Sequence, residues 1–362
     1  DMCGAMRGAV VGAILFEGLA DSPEEARRMT DRGEFRFVPN HEHGAVAPMS
    51  GVISASMPMW VVENLATGNR AVSTINEGMG RVLRFGAFHP DHIDHLRWLR
   101  DRFFPAMVAV LKVVGPIDVG AILAQALQMG DECHNRHKAA SALFFRVLTP
   151  SLFALALPSA DAAAIARYMA SNEIFFLNVA MAAAKAGLDA ASGIAGSSII
   201  TAMSRNGVEF GVRISGTGNR WFTAPAAVVD GVYFSGFGPE DASRDLGDSA
   251  IMETMGLGGF AMAASPASVQ VVGGTAETAI EMTRSMYDIT WSESSRFVIP
   301  SLGFRGTPLG IDAREVLHAH TPPIINTGIA HREAGVGQIG AGVSRPSLEP
   351  FAQAVGQLGA GF

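Results

Sequence analysis

Residues 39–51 read PNHEHGAVAPMSG, with His41 and His43 on either side of Glu42. Such a cluster can ligate a metal, touch a substrate or cap an element, and three residues alone do not choose among these. Three more polar clusters interrupt the apolar background. GDECHNRH, residues 130–137, carries Asp131, Glu132, His134 and Arg136. Read as helix, it puts Asp131 and His134 at i,i+3 and Glu132 and Arg136 at i,i+4, with Cys133 turned away. That arrangement suits substrate contact, a structural ion-pair network or an underdetermined metal site. SRNG at 204–207 and RISGTGNRW at 213–221 supply Arg205, Asn206, Arg213 and Arg220. With the backbone amides of Gly216 and Gly218 they can hold an anion, although glycine turns in a hairpin explain them equally well. INTGIAHREAG at 325–335 offers Asn326 to hold a carbonyl and His331 to donate a proton.

The elements that must position these groups are legible in outline. Asp21 or Ser22 as N-cap, Pro23 at the first helical position and two acids behind it start a helix that Gly33 ends. FRFVP then reads as a short strand, which sets His41 at a strand's C-terminal end, where α/β folds often bind ligands. NEGMGRVLRFG gathers Asn76, Glu77, Arg81 and Arg84; if 78–85 is helical, the two arginines share a face. His89, His92 and His95 recur at i, i+3, i+6, but neighbouring Asp91, Asp94, Arg97 and Arg100 make this a solvated helix start. From about 88 to 195 the texture is Ala- and Leu-rich, with breaks at Gly115-Pro116, Thr149-Pro150 and Leu157-Pro158, as in five or six helices. After Gly196, strand-like runs return at 196–204, 208–216, 220–226 and 231–237, with helices over about 247–265 and 275–290. The glycine-rich stretch 327–342 reads as a buried loop or short strands. The expected class is α+β, with two mixed α/β regions, 1–88 and 196–362, around an inserted helical domain, 89–195.

Hydrophobic residues make up 48% of the 362 and charged residues 17%, which leaves few charges to coat a surface and points to extensive interfaces and a homo-oligomer. Net charge is −7, and no basic stripe interleaves with aromatics, so nucleic acid is a poor partner. Only Lys112, Lys138 and Lys185 stand against the many arginines, the better groups for gripping carboxylate or phosphate; a GC-rich genome skews the ratio the same way. Two cysteines make no disulfide framework, which fits a reducing cytoplasm. The chain opens on Asp1 with no signal-peptide pattern and reads as lacking an N-terminal element. The most apolar stretch, 103–123, carries Lys112, Pro116 and Asp118, so two packed helices explain it better than a membrane span. Nothing matches GxSxG, HExxH or CxxC, which disfavours hydrolases of those types; SGTGN is neither a Walker loop nor spaced as GxGxxG, and no cofactor is expected.

Eight strings together carry a resemblance: NHEHGAVAPMSGVISASMPM, NLATGNRA, NEGMGRVLRFGA, MGDECHNR, TAMSRNG, RWFTAP, GDSAIMETMG and INTGIAHREAGVGQIGAG. They resemble the AllG family across essentially the whole chain. The resemblance implies a subunit of oxamate carbamoyltransferase, which converts oxalurate and phosphate into oxamate and carbamoyl phosphate in anaerobic allantoin breakdown, alongside FdrA-like and AllH-like partners. The STRT and HPxQ motifs of ordinary transcarbamoylases are absent, so such chemistry must use another site. It needs arginines for the phosphate and the oxamate carboxylate, a donor for the tetrahedral oxyanion and a base for the amide proton. The chain's own candidates are Arg81, Arg84, Arg136, Arg205, Asn206, Arg213, Arg220 and Asn326 for binding, and His41, His134 and His331 for acid–base work. His41 is preferred as a substrate-site residue over a metal ligand, since no third ligand is identifiable; His43 is the weaker choice. Two alternatives remain: a non-catalytic assembly subunit of the same complex, and a metal-assisted amidohydrolase using His41, His43, Asp131 and His134.

Overall fold

The computed structural model describes residues 2–359. It is α+β, as the sequence implies, with helices and four separate antiparallel sheets among those residues. The N-terminal part holds α1 (Gly4–Glu17), α2 (Pro23–Asp31) and the hairpin of β1 (Met59–Glu63) with β2 (Arg70–Thr74). The Ser22 side chain accepts from the Glu25 amide and Pro23 opens α2, as the sequence signals.

Six helices follow: α3 (Pro90–Trp98), α4 (Phe104–Val114), α5 (Val119–Gln128), α6 (Lys138–Ala154), α7 (Ser159–Ser171) and α8 (Leu177–Asp189). A π-helical turn, Leu99–Phe103, joins α3 to α4. Trp60 of β1 ties the hairpin to these helices, meeting the rings of Phe103, Phe144 and Phe175 at 6.5, 5.7 and 6.1 Å. Burying such aromatics together dominates core energetics. Among the described residues no single helix is long and apolar enough to cross a membrane; Pro90–Val114 and Val119–Gln128 meet the criterion only as a pair bent by 94°.

The C-terminal part carries a four-stranded sheet ordered β5-β4-β3-β7, from β3 (Ile200–Asn206), β4 (Glu209–Ile214), β5 (Phe222–Pro225) and β7 (Leu246–Gly247). A three-stranded sheet is ordered β10-β11-β6, from β6 (Asp230–Tyr233), β10 (Ile325–Ala330) and β11 (Gln338–Ser344). β8 (Thr290–Ile299) and β9 (Arg305–Ile311) form a second hairpin. Short helices α9 (Ile251–Thr254), α10 (Val269–Val272) and α12 (Ala313–His318) and longer ones α11 (Ala276–Met286) and α13 (Glu349–Gly359) complete it.

Four local expectations change. Residues 35–39 form no strand, with Phe37 and Val38 exposed and Pro39 lacking a donor, and His41 sits on a 3-10 turn, Asn40–His43, rather than at a strand end. Residues 79–82 are bends, and only Leu83–Phe85 winds, as a 3-10 turn; Arg84 is buried there while Arg81 is exposed, so the two share no face. Residues 130–137 form a loop between α5 and α6, with Cys133 at φ +64°, so the helical spacing read for Asp131 and His134 does not apply. The run 247–265 is broken into β7, α9 and a 3-10 segment, Gly258–Ala264.

Candidate functional site

The loop 130–137 and the start of β10 meet over α9 and build a buried polar knot. Glu253, on α9, is fully buried. Its Oε1 accepts from the Gly259 amide at 3.0 Å and the Asn326 amide at 3.1 Å, and lies 2.7 Å from Nδ1 of His134. Gly258 makes this approach feasible: at φ +60°, an added Cβ there would lie 2.0 Å from Glu253 Oε1. Glu132, also fully buried, accepts from the amides of His134 (3.1 Å) and Arg136 (2.6 Å) and from Asn326 Nδ2 (3.0 Å). Burial pushes the Glu132 carboxyl up to about 7, with nearby Glu253 adding to the rise against the opposing pull of His134. Asp131 accepts from the Ala140 amide at 2.9 Å, at the start of α6, and burial raises it to about 6.

With Nδ1 facing Glu253, His134 has Nε2 as its remaining nitrogen. The ring lines a small cavity with Asn135, Arg84, Ser249, Gln338 and the apolar Met49 and Met79. Arg84 is buried, held by the Gly78 carbonyl through Nε (3.1 Å) and Nη2 (2.6 Å), and lies over the Phe85 ring. It also borders a second small, largely apolar cavity, which Glu77 lines as well. Burial lifts Glu77 to about 7, opposed by Arg84, and lowers the Arg84 guanidinium to about 10. A fixed carboxylate behind an imidazole, a buried guanidinium and a small polar-lined cavity together supply a proton carrier and an anion grip.

A second constellation surrounds His41, which is buried with its Nε2 3.7 Å from Asp248 Oδ1. Asp248 also accepts from Asn40 (2.8 Å), the Ala47 amide (3.1 Å) and Ser204 (2.7 Å). The His41 ring meets Trp221 edge-on at 5.4 Å, and Arg213 lies over Trp221 at 5.0 Å. Burial holds His41 down at about 4, with Lys185 and Arg213 adding to the depression and Asp248 opposing it. Ser249, next to Asp248 in the chain, lines the His134 cavity, so the two constellations share one segment of chain.

The remaining candidates fall elsewhere. Arg205 makes a two-pronged pair with Asp245 (2.8 and 3.0 Å) and donates to the Gly247 carbonyl and to Thr327, so its donors are engaged. Asn326 is fully buried and braces Glu132. Arg136 donates to the Gly130 carbonyl and lies 3.6 Å from Asp131. Asn206 is exposed and accepts from the amides of Val208 and Glu209 in a turn. Arg220 is exposed over Phe222, and the Gly216 and Gly218 amides bond Ser197 and Ser215. His331 lies past the far end of β10, five residues from Asn326 or roughly 16 Å of strand, beside Asp241 and Phe237. Of the acid–base candidates, then, His134 alone borders the cavity. His43 is exposed, and among the described residues no three His, Cys, Asp or Glu side chains converge as a metal requires.

Sequence reading missed Glu253, Asp248, Ser249 and Gln338. The available signal was the isolated acids of GDSAIMETMG, which interrupt a long apolar run; buried carboxylates are rare unless paired.

A family model described as oxamate carbamoyltransferase subunit AllG matches residues 35–249. The chain is 48% identical over 354 residues to an Escherichia coli K12 protein described as uncharacterized protein YahG, covering 98% of this chain and 75% of that one. It is 47% identical over 360 residues to the oxamate carbamoyltransferase subunit AllG of the same organism, covering 99% and 86%. The crystal structure of a conserved protein of unknown function from Enterococcus faecalis V583 superposes with a TM-score of 0.97 at 44% identity, covering 99% of this chain and 86% of that one.

Proposed function

The chain belongs to the AllG family, and from that premise we propose that it is a subunit of an oxamate carbamoyltransferase-type enzyme acting in anaerobic allantoin breakdown. The substrates are oxalurate and phosphate, the products oxamate and carbamoyl phosphate, and the partners FdrA-like and AllH-like subunits. The observation that carries a catalytic rather than a purely assembling role is the His134–Glu253 pair at the wall of a cavity that also contains Arg84.

In the reaction a phosphate oxygen bonds the terminal carbamoyl carbon of oxalurate, and that carbon loses its bond to the oxamate nitrogen. The nitrogen gains one proton and the attacking phosphate hydroxyl loses one, so atoms and charge balance. His134 is positioned to move that proton through Nε2, taking it from the phosphate and delivering it to the departing nitrogen. Glu253 fixes the ring with Nδ1–H toward its carboxylate and stabilises the imidazolium formed in between. Arg84, its Nε and Nη2 held by the Gly78 carbonyl, presents Nη1 and its charge to the oxamate carboxylate or the phosphate, and Asn135 offers a side-chain amide to the carbonyl oxygen as it becomes an oxyanion.

The test is phosphate-dependent cleavage of oxalurate by the purified chain, alone and mixed with its FdrA-like and AllH-like partners, read as carbamoyl phosphate. Turnover that needs the partners and disappears in His134→Ala supports the reading. Equal turnover by a complex carrying His134→Ala sinks the catalytic role and leaves an assembly subunit.

A further inference from the structure

Arg205 and Arg213 occupy neighbouring strands of one sheet, and both are buried. The Nε–Nη2 edge of Arg205, the edge that grips a planar carboxylate with two parallel bonds, is taken by Asp245 at 2.8 and 3.0 Å. The same edge of Arg213 meets no acceptor among the described residues, although the residue is only 5% exposed. Around it lie other donors in the same condition. Trp221 Nε1, under the Arg213 guanidinium, has no acceptor, and neither ring nitrogen of His41 has a hydrogen-bond partner. Lys185 of α8, 1% exposed, adds a second positive charge and bonds Asp189. The nearby acids do not complete the set: Asp189 holds Lys185, Asp248 is occupied by Asn40, the Ala47 amide and Ser204, and the exposed Glu42 lends Arg213 only its charge, without a hydrogen bond. Buried polar groups are nearly always satisfied, and a charged group left without acceptors is the most costly exception.

We propose that Arg213, with Trp221, Lys185 and His41 around it, forms a binding site for a small oxyanion of the phosphate or carboxylate class, separate from the His134 cavity. Arg213 supplies two parallel hydrogen bonds, Trp221 Nε1 a third, and Lys185 charge. His41, held neutral by burial, can donate from one nitrogen. The site is independent of the carbamoyl-transfer reading. It adjoins the cavity through Asp248 and Ser249, so an anion bound here can bias the segment that shapes the cavity wall.

The experiment is titration of the full chain with inorganic phosphate at constant ionic strength, with chloride as control and acetate as a carboxylate arm. Trp221 fluorescence and the thermal midpoint are read together. The expected result is a saturable fluorescence change that is lost in Trp221→Phe. Arg213→Met should raise the half-saturating concentration at least about tenfold, whereas Arg84→Met, in the cavity, should leave it in place. Saturation by acetate in preference to phosphate assigns the same site to a carboxylate. If Arg213→Met does not fold, phosphate protection of Arg213 from phenylglyoxal in the unmodified chain gives the same information. Identical titrations of wild type and Arg213→Met, a response abolished by Arg84→Met, or no saturable response to either anion overturns the proposal.

Discussion

Replacing Glu253 by glutamine changes one charge and almost no volume, and its consequences follow from the three groups around Oε1. The His134 ring at 2.7 Å and the Gly259 and Asn326 amides at 3.0 and 3.1 Å all face that oxygen. The amides only donate, so the glutamine carbonyl must take this position. Its NH2 then falls where Oε2 now lies, a buried spot with no partner among the described residues. Losing charge assistance in three hydrogen bonds and burying an unsatisfied NH2, partly offset by no longer burying a charge, costs about 2–3 kcal/mol. A domain of ordinary stability survives that loss. Catalysis should suffer far more, because the imidazolium formed on His134 loses its counter-charge. Replacing the carboxylate behind a catalytic histidine by its amide lowers kcat by about 10⁴ in the best-studied triad, and a fall of that order is expected here. KM for oxalurate should move little, since Arg84 is untouched. The assay is carbamoyl phosphate formation by the reconstituted complex, with thermal unfolding to establish that the variant is folded. A folded Glu253→Gln subunit retaining kcat within about threefold of wild type would refute the dyad.

Gly258→Ala drives a methyl into Glu253 Oε1 at a left-handed backbone position, so it should reduce turnover and lower the thermal midpoint together, whereas a variant active as wild type would show the dyad geometry to be irrelevant. Glu77 has a folded carboxyl raised from 4.5 to about 7, so its neutral form is favoured in the native state. Its contribution to stability is complete below pH 4.5 and is lost as pH rises toward 7, on the order of 3 kcal/mol in all. His41, lowered to about 4, acts in the opposite sense, its contribution being present above 6.5 and lost as pH falls toward 4. The clean measurement is therefore the difference between wild type and Glu77→Gln in urea unfolding across pH 4.5–8: wild type should lose stability relative to the variant as pH rises, and a flat difference contradicts the assignment. Arg205→Met strands Asp245 as an uncompensated buried charge and should cost about 3–5 kcal/mol in denaturant unfolding; a cost below about 1 kcal/mol would mean the pair is not structural.

The sequence made the elements of the C-terminal sheets legible because β-branched and aromatic runs alternate with turns. β3, β4, β5 and β6 all fall within or beside the stretches read as strands. The helices from 90 to 189 were equally plain from their Ala- and Leu-rich texture and proline breaks. Legibility failed where tertiary contacts override local pattern. At 130–137 the residue types suit a helix, but the loop is fixed by backbone amides donating to the Glu132 and Asp131 carboxylates, which no spacing rule anticipates. Among the candidate groups, residue type alone could not separate Arg205, whose donors are consumed by Asp245, from Arg213, whose side edge has no acceptor. Nor could it show that His134 and Glu253, 119 positions apart in the chain, meet at 2.7 Å. The resemblance to the AllG family rested on long strings rather than on site geometry, which is why the family was readable while the pairing of the site residues was not.

The most direct measurement is a crystal structure of the assembled complex with oxamate bound. The account predicts oxamate in the His134 cavity, its carboxylate on Arg84 and its amide nitrogen within hydrogen-bond reach of His134 Nε2. Oxamate bound at the Arg213 cluster instead, or wholly within a partner subunit, would contradict it.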